Sequence, residues 1–494
     1  MRKEKDHVEE EYVYVADVTH DAVLISWGKF FFNSKWKLIP DKDLHLFDGH
    51  HGRHSSIGER CDSYGTATVR VFDADGNEKA TTTDKSYAWV RGLKANTEYT
   101  YRIVVPEGSE ARDWGGDPLY RYDKEGKELH PTARPYDCRF RTFPAPDVDA
   151  PLTFAVIGDT GTGGDVQQDV AEALELMVDE HNVRLIILLG DVIYNRSSGG
   201  SGDNDFEWLT TYFQPYRHII SRVPVFPCMG NHDTKENWLH GVFLGEKQGD
   251  RLAVYDNLLV TPRFVNANEG TDLPPAPPTG RQASVGPGLF YRFKFGSSIE
   301  FICLDTSKEP HFDRRLFENE NHNKWVRDVL TEPLGSARWR IPFSHHPPYC
   351  KGPVHNEDET NLRHEVIQLC EQNGVRAFLS GHEHNFQCID SHDIQGPNAD
   401  RNVRCFITGG AGDFRSKRLD EATDGYLHRW GGNDRGHFLI VTIGGNEMTV
   451  KPFGCQRVGA NLDINPLPLF DILDLKGKTP VSEAPIVVSL PNLL

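Results

Sequence analysis

Five short apolar runs in this chain of 494 residues end in side chains that bind hard or borderline metal ions. "FAVIGD" ends at Asp159 and "LIILLGD" at Asp191, with Tyr194 three residues further on. "VFPCMGNHD" delivers Asn231, His232 and Asp233; "RIPFSHHPPY" delivers His345 and His346; "AFLSGHEH" delivers His382 and His384. Carboxylate, phenol, amide oxygen and imidazole suit iron, zinc or manganese, and the lack of a thiolate argues against a soft-metal site. Each motif alone has a plainer reading. An Asp after a strand commonly caps a helix or shapes a turn, a strand-end His is commonly core or surface, and Tyr194 by itself reads as a core aromatic. Five such segments in one chain point instead to a shared metal site, because strand ends on one side of an open α/β sheet line one crevice.

The elements that must position these residues are legible around them. Residues 12–145 read as all-β: "YVYVADVTHDAVLISWGKF" alternates apolar and polar positions, with Trp27 on the core face. In "SYAWVRGLKANTEYTYRIVV" the turn before Tyr99 resembles the tyrosine corner of a fibronectin type III-like sandwich. A Pro-rich linker lies near residues 143–151. From Pro151 onward, nearly continuous apolar strands alternate with helix-like stretches such as "DVQQDVAEALELMVDEHN", as expected of strands buried on both faces. The Pro/Gly-rich stretch 271–288 reads as an insertion or a loop, and the Pro-rich segment beyond Cys455 as a surface extension. The expected division is 1–148, 149–456 and 457–494.

The motif set "GDTG" (158–161), "GDVIY" (190–194), "GNHD" (230–233), the His345 segment and "GHEH" (381–384) resembles the calcineurin-like metallophosphoesterases, and within them the purple acid phosphatases. The flanks "GLFYRFKFG", "FICLDT", "NKWVRDVL" and "CFITGGAGD" agree. The resemblance spans about residues 12–455. It implies a fibronectin type III-like β-sandwich followed by a metallophosphoesterase ββ-sandwich core flanked by helices. It also implies two adjacent metals. Asp159, Tyr194 and His384 would hold Fe3+; Asn231, His345 and His382 would hold Fe2+, Zn2+ or Mn2+; Asp191 would bridge. One departure stands out: where the family reads VxxH, this chain has Pro342 ahead of His345 or Phe343 ahead of His346. The family's His-x-Pro text favours His345.

The activity implied is phosphoester hydrolysis, most simply of monoesters, by a metal-bridging hydroxide. His232 would contact the phosphate and help protonate the leaving group. Asp233 either orients His232 or caps the turn, and His355 in "YCKGPVHNED" either faces substrate or is an ordinary loop residue. A phosphodiesterase acting on nucleotides or lipid head groups is the alternative on the same site. A binding module with a dead catalytic domain is disfavoured by the intact ligand positions.

Composition narrows the rest. The formal net charge of −18 argues against non-specific nucleic-acid binding and leaves a small phosphoester as the expected partner. No apolar run approaches the roughly 18 residues of a membrane helix. The charged N-terminus shows no signal peptide, so the expected compartment is the cytoplasm, or the exterior if a leader is missing from this chain. The nine cysteines are scattered without a CxxC and read as free thiols. His50, His51 and His54 read as a solvated loop, and "GDTGTGGD" lacks the GK[ST] of a nucleotide P-loop.

Overall fold

The computed structural model describes residues 7–33, 66–83, 87–107, 110–113, 119–122, 128–132, 136–194, 209–233, 290–306, 320–352, 362–392, 395–415, 426–432, 434–469 and 485–490. His355, the His50–His54 segment, Cys61, the loop 195–205 and the stretch 271–288 lie outside the described residues. Two units emerge: Met1–Pro146 with Asn195–Val225 and Thr234–Gly280, and Asp147–Tyr194 with Phe226–Asp233 and Arg281–Leu494.

In the first unit the period-two alternation becomes antiparallel sheet. One sheet runs in the order β1 (His7–Val18), β2 (Ala22–Asn33), β5 (Tyr87–Arg91). The chain continues through β3 (Ala67–Phe72), β4 (Glu78–Thr83), β5 (Tyr87–Arg91) and β6 (Glu98–Glu107). Then come β7 (Glu110–Asp113), a separate hairpin of β8 (Leu119–Tyr122) and β9 (Glu128–Thr132), and β10 (Arg139–Arg141). The second sheet has the order β10-β6-β3-β4, with β7 on β6. Trp27 is fully buried, as the alternation requires. The turn before β6 is closed by the Lys94 N–H, which donates to Tyr99 Oη at 2.8 Å. Thr142 braces the same turn, donating to the Lys94 carbonyl at 2.7 Å and accepting from the Thr97 N–H at 2.8 Å.

The second unit stacks two mixed sheets. β11 (Leu152–Ile157) leads through α1 (Asp165–Glu180) to the parallel strand β12 (Ile186–Leu188). α1 buries Val170, Ala173, Leu174, Met177 and Val178 at helical spacing, while Leu176 stays exposed. After Tyr194 the chain joins the first unit: a wide π-helical turn (Leu209–Phe213) runs into α2 (Gln214–Ile220). There Phe213 packs 4.4 Å from the Tyr12 ring, and Tyr101 donates to the Ser221 carbonyl at 2.5 Å. The chain re-enters the second unit through β13 (Val225–Pro227).

The remaining elements of that unit are β14 (Tyr291–Phe295), β15 (Ile299–Cys303), α3 (Glu320–Thr331), β16 (Trp339–Ser344), α4 (Gln368–Gln372), β17 (Ala377–Ser380), β18 (Phe386–Asp390) and β19 (Arg404–Thr408). They are followed by β20 (Tyr426–Gly431), β21 (Gly436–Gly444), β22 (Glu447–Val458), β23 (Asn461–Pro466) and β24 (Ile486–Ser489). One sheet has the order β13-β12-β11-β21-β22-β23, with β24 also on β22; the other runs β14-β15-β16-β17-β19-β18-β20. An aromatic seam joins them: Phe154 meets Phe301 edge-on at 5.2 Å, and Phe301, Phe293 and Phe226 stack in turn at 4.9 and 4.1 Å. Each buried ring contributes on the order of 2 kcal/mol. Val326, Val329 and Leu330 of α3 cover the second sheet together with Cys370 of α4. The sequence-based division is modified in two places. The segment after residue 456 supplies β23 and β24 to the sheet that holds β22, and residues 209–225 belong to the first unit.

Tyr99→Phe deletes the oxygen that accepts the Lys94 N–H and is expected to cost about 1 kcal/mol. Urea unfolding of the first unit's transition should show it; an unchanged midpoint would contradict the role given to that turn.

Candidate metal centre

The predicted ligands converge, all within the second unit. β11, β12 and β13 of one sheet and β16 and β17 of the other end beside one another, and each apolar run stops where a Gly or polar residue begins. The side chains fall into two groups. In one, Tyr194 Oη lies 3.0 Å from Asp159 Oδ1 and 2.9 Å from His384 Nε2, with His384 Nε2 also 3.5 Å from Asp159 Oδ1. In the other, His345 Nε2 lies 2.9 Å from Asn231 Oδ1, 3.1 Å from His382 Nδ1 and 3.4 Å from Asp191 Oδ2. Ligand atoms of Asp159, Asp191 and His345 all lie within 4.8 Å of one another, which links the groups.

Backbone groups aim these side chains, and sequence reasoning did not foresee them. The His382 N–H donates to Asp159 Oδ2 at 2.8 Å, and the His232 N–H donates to Asp191 Oδ1 at 2.9 Å. Each carboxylate is thus fixed through one oxygen and faces the cluster with the other. His345 Nδ1 lies 2.7 Å from the Leu189 carbonyl. A carbonyl only accepts, so Nδ1 carries the proton there and Nε2 is the nitrogen turned to the cluster. His346 instead meets Thr306, whose Oγ1 accepts its backbone N–H at 3.0 Å. The ring that faces Asn231 and Asp191 is therefore that of His345, the residue the His-x-Pro text favours.

The backbone is strained where the ligands sit. Among the described residues, five other than glycine have positive φ, and three of them are Asp159 (56°), Asp191 (50°) and His382 (71°). The other two are Asn96 and Asn182, a residue type that tolerates this region in turns. Such conformations cost on the order of 1–3 kcal/mol each and persist only where the surroundings over-determine them. The glycine before each ligand has a packing reason as well. A Cβ on Gly381 would lie 2.6 Å from Asp159 Oδ2, and one on Gly190 (φ +81°) 2.9 Å from His345 Nδ1. The "GGAGD" loop after β19 closes behind Asp159: Ala411 N–H donates to the Gly158 carbonyl at 3.2 Å, and Thr162 donates to the Gly412 carbonyl at 2.6 Å.

Electrostatics follow from burial. Asp159 and Asp191 are 0% and 1% exposed. Burial would raise the Asp191 carboxyl, but His345 and His232 hold it well below the usual range. Burial would lower the His345 imidazole, and Asp191 instead carries it up to about 10. Burial, Asp159 and Asp191 push the Tyr194 phenol well above its ordinary value. Two buried carboxylates, three lone-pair donors of the Asn231 group and a phenol held at hydrogen-bond distance from a carboxylate form a donor set that fits cations.

His232 is half-buried, tied to Asp191 through its backbone, with its ring 4.5 Å from that of Tyr194. Asp233 was a candidate for orienting His232. Its carboxylate instead accepts backbone N–H groups: Val192 at 2.8 Å and Ile193 at 3.2 Å on Oδ1, and Gly230 at 2.8 Å on Oδ2. It staples the "GDVIY" loop to the "GNHD" turn, the capping role of the two readings. Burial and the neighbouring Asp191 push its carboxyl up to about 8, against the Gly230 and Val192 N–H groups and His345.

Comparison with known proteins agrees with this geometry. Residues 152–386 match the calcineurin-like phosphoesterase family model. Purple acid phosphatase 7 of Arabidopsis thaliana is 23% identical over 261 residues, 49% of this chain and 67% of that protein. This chain is similar to the purple acid phosphatases among the calcineurin-like phosphoesterases. Purple acid phosphatase 23 of the same plant is 22% identical over 385 residues, 73% of this chain and 70% of that protein. Tartrate-resistant acid phosphatase type 5 of Sus scrofa is 27% identical over 188 residues, 33% of this chain and 51% of that protein. The purple acid phosphatase structure from yellow lupin (Lupinus luteus) shares the fold, with a TM-score of 0.59 at 13% identity, covering 98% of this chain and 78% of that one. The family is enzymatic: its members are metal-dependent phosphatases, and a dinuclear metal centre and metal-dependent phosphoester hydrolysis go with it. No helix among the described residues is long and apolar enough to cross a membrane.

In the metal-free protein the His345–Asp191 pair stabilises the fold on both sides of neutrality. The raised imidazole contributes fully below its ordinary 6.5 and loses that contribution as pH rises through about 10. The lowered carboxyl contributes above its ordinary 3.8 and loses it as pH falls through its depressed value. A cation at His345 must displace the proton. Titrating a divalent ion into metal-free protein near pH 8, with a pH indicator, should release about one proton that is absent in His345→Gln. Equal release from both proteins would contradict the assignment.

Proposed function

We propose that this chain is a phosphomonoesterase with a dimetal centre built from Asp159, Tyr194 and His384 on one side and Asn231, His345 and His382 on the other, bridged by Asp191. The single observation that carries this reading is the division of the cluster into two donor groups that share the buried Asp191–Asp159 edge. The phenol-bearing group suits Fe3+, because a phenolate is a hard and strongly donating anion; the amide and imidazole group suits Fe2+, Zn2+ or Mn2+. When bound, the ions supply Lewis acidity and make hydroxide available near neutrality.

The protein's own residues do the rest. Asp191 and Asp159 keep their orientation through the backbone N–H groups of His232 and His382, so neither turns away when charge at the site changes. His232, fixed beside the bridge and half-exposed, is placed to hold a phosphoryl oxygen and to pass a proton to the departing alkoxide. Asp233 acts through the turn that carries Asn231 and His232. We assign the first unit to the fibronectin type III-like class over residues 1–148, supported by its two sheet orders and by the Tyr99 turn.

His232→Ala should retain both metals by elemental analysis and lose about 100-fold or more in turnover on alkyl phosphates, with a smaller loss on aryl phosphates that have good leaving groups. Uniform kinetics would remove His232 from proton transfer. In the same assay the intact protein should turn over an aryl phosphate faster than a bis-aryl phosphate; the reverse order would make it a phosphodiesterase.

A further inference from the structure

His346 stands outside the ligand set assigned above, yet it is fully buried against it. Its ring centroid is 4.3 Å from that of His382 and 5.0 Å from that of His345. One nitrogen each from His345, His346 and His382 lie within 4.8 Å of one another. We infer that His346 is a third imidazole ligand of the Asn231 side of the centre and biases that side toward Zn2+ over Mn2+. This rests on the dimetal reading proposed above.

Two features support it. The first is reach. Metal–imidazole bonds are about 2.0–2.1 Å, so two nitrogens on one ion stand at most about 4.2 Å apart. The present spacing is brought into range by side-chain adjustments smaller than about 1 Å. The second is preparation. Thr306 Oγ1 lies 3.0 Å from the His346 backbone N and 3.3 Å from its Nδ1. The Thr306 hydroxyl can accept the Nδ1 proton at this contact, and Nε2 is then the basic nitrogen, the tautomer that the Leu189 carbonyl imposes on His345. A ring needed only to pack beneath His382 has no use for that hydroxyl, and phenylalanine would fill the place without the cost of burying a polar group. Three imidazoles in place of two shift the preference from oxygen-seeking Mn2+ toward Zn2+.

The test is a competition titration of the full-length, iron-loaded protein with Zn2+ and Mn2+ against a chromophoric chelator, comparing the unaltered protein with His346→Phe. Zn2+ affinity is expected to fall 10- to 100-fold and Mn2+ affinity by less than about three-fold, with metal-free thermal stability compared in parallel. X-ray absorption at the zinc edge of the unaltered protein should count three imidazoles and does not depend on the variant folding. Two imidazoles, or equal Zn2+ affinity in His346→Phe, would overturn the inference while leaving the dimetal reading intact. An unaltered protein that binds neither ion would overturn the dimetal reading and this inference with it.

Discussion

Two carboxylates taken out of water, each held by a backbone N–H from another ligand's loop, are the constraint around which this fold is arranged. Asp159 is held by the amide of His382 and Asp191 by the amide of His232. An isolated buried carboxylate is costly, and two side by side are more so. The cost is met by convergence: amides, imidazoles and a phenol point at the remaining oxygens, and cations complete the balance in the proposed loaded state. This is why left-handed backbone recurs at Asp159, Asp191 and His382, and why a glycine precedes each of them.

The two-sheet architecture makes such convergence possible. Parallel strands place successive loops on one side, and stacking a second sheet on the first doubles the number of strand ends that meet. β11 and β12 bring the acids, β13 the amide, and β16 and β17 the imidazoles. The aromatic seam of Phe154, Phe301, Phe293 and Phe226 fixes the spacing of the sheets close behind the ligands. Precision at the site therefore rests on rigid strands, with the short loops bearing only the final turn.

Much of the site was legible in the sequence because the signal is local: an apolar run, a glycine and a donor, five times over. The choice between His345 and His346 was harder, since adjacent imidazoles fit one pattern and it is the contacts of His345 with Leu189, Asn231 and Asp191 that tell them apart. Asp233 was ambiguous for a similar reason, because its partners are backbone groups of Val192 and Ile193 some 40 residues away. The edge strand β23, "NLDINP", carries little apolar alternation and is mostly exposed, so its pairing with β22 had no composition to announce it. The allegiance of α2 to the first unit depends on packing between Phe213 and Tyr12, about 200 positions apart, which periodicity cannot register.

The most direct test of the central claim is metal analysis joined to a visible spectrum of the iron-loaded protein and of Tyr194→Phe. The account predicts two ions per chain and a phenolate-to-Fe3+ charge-transfer band that disappears in Tyr194→Phe. A colourless protein holding two zinc or two manganese ions, or a band that survives the substitution, would contradict it.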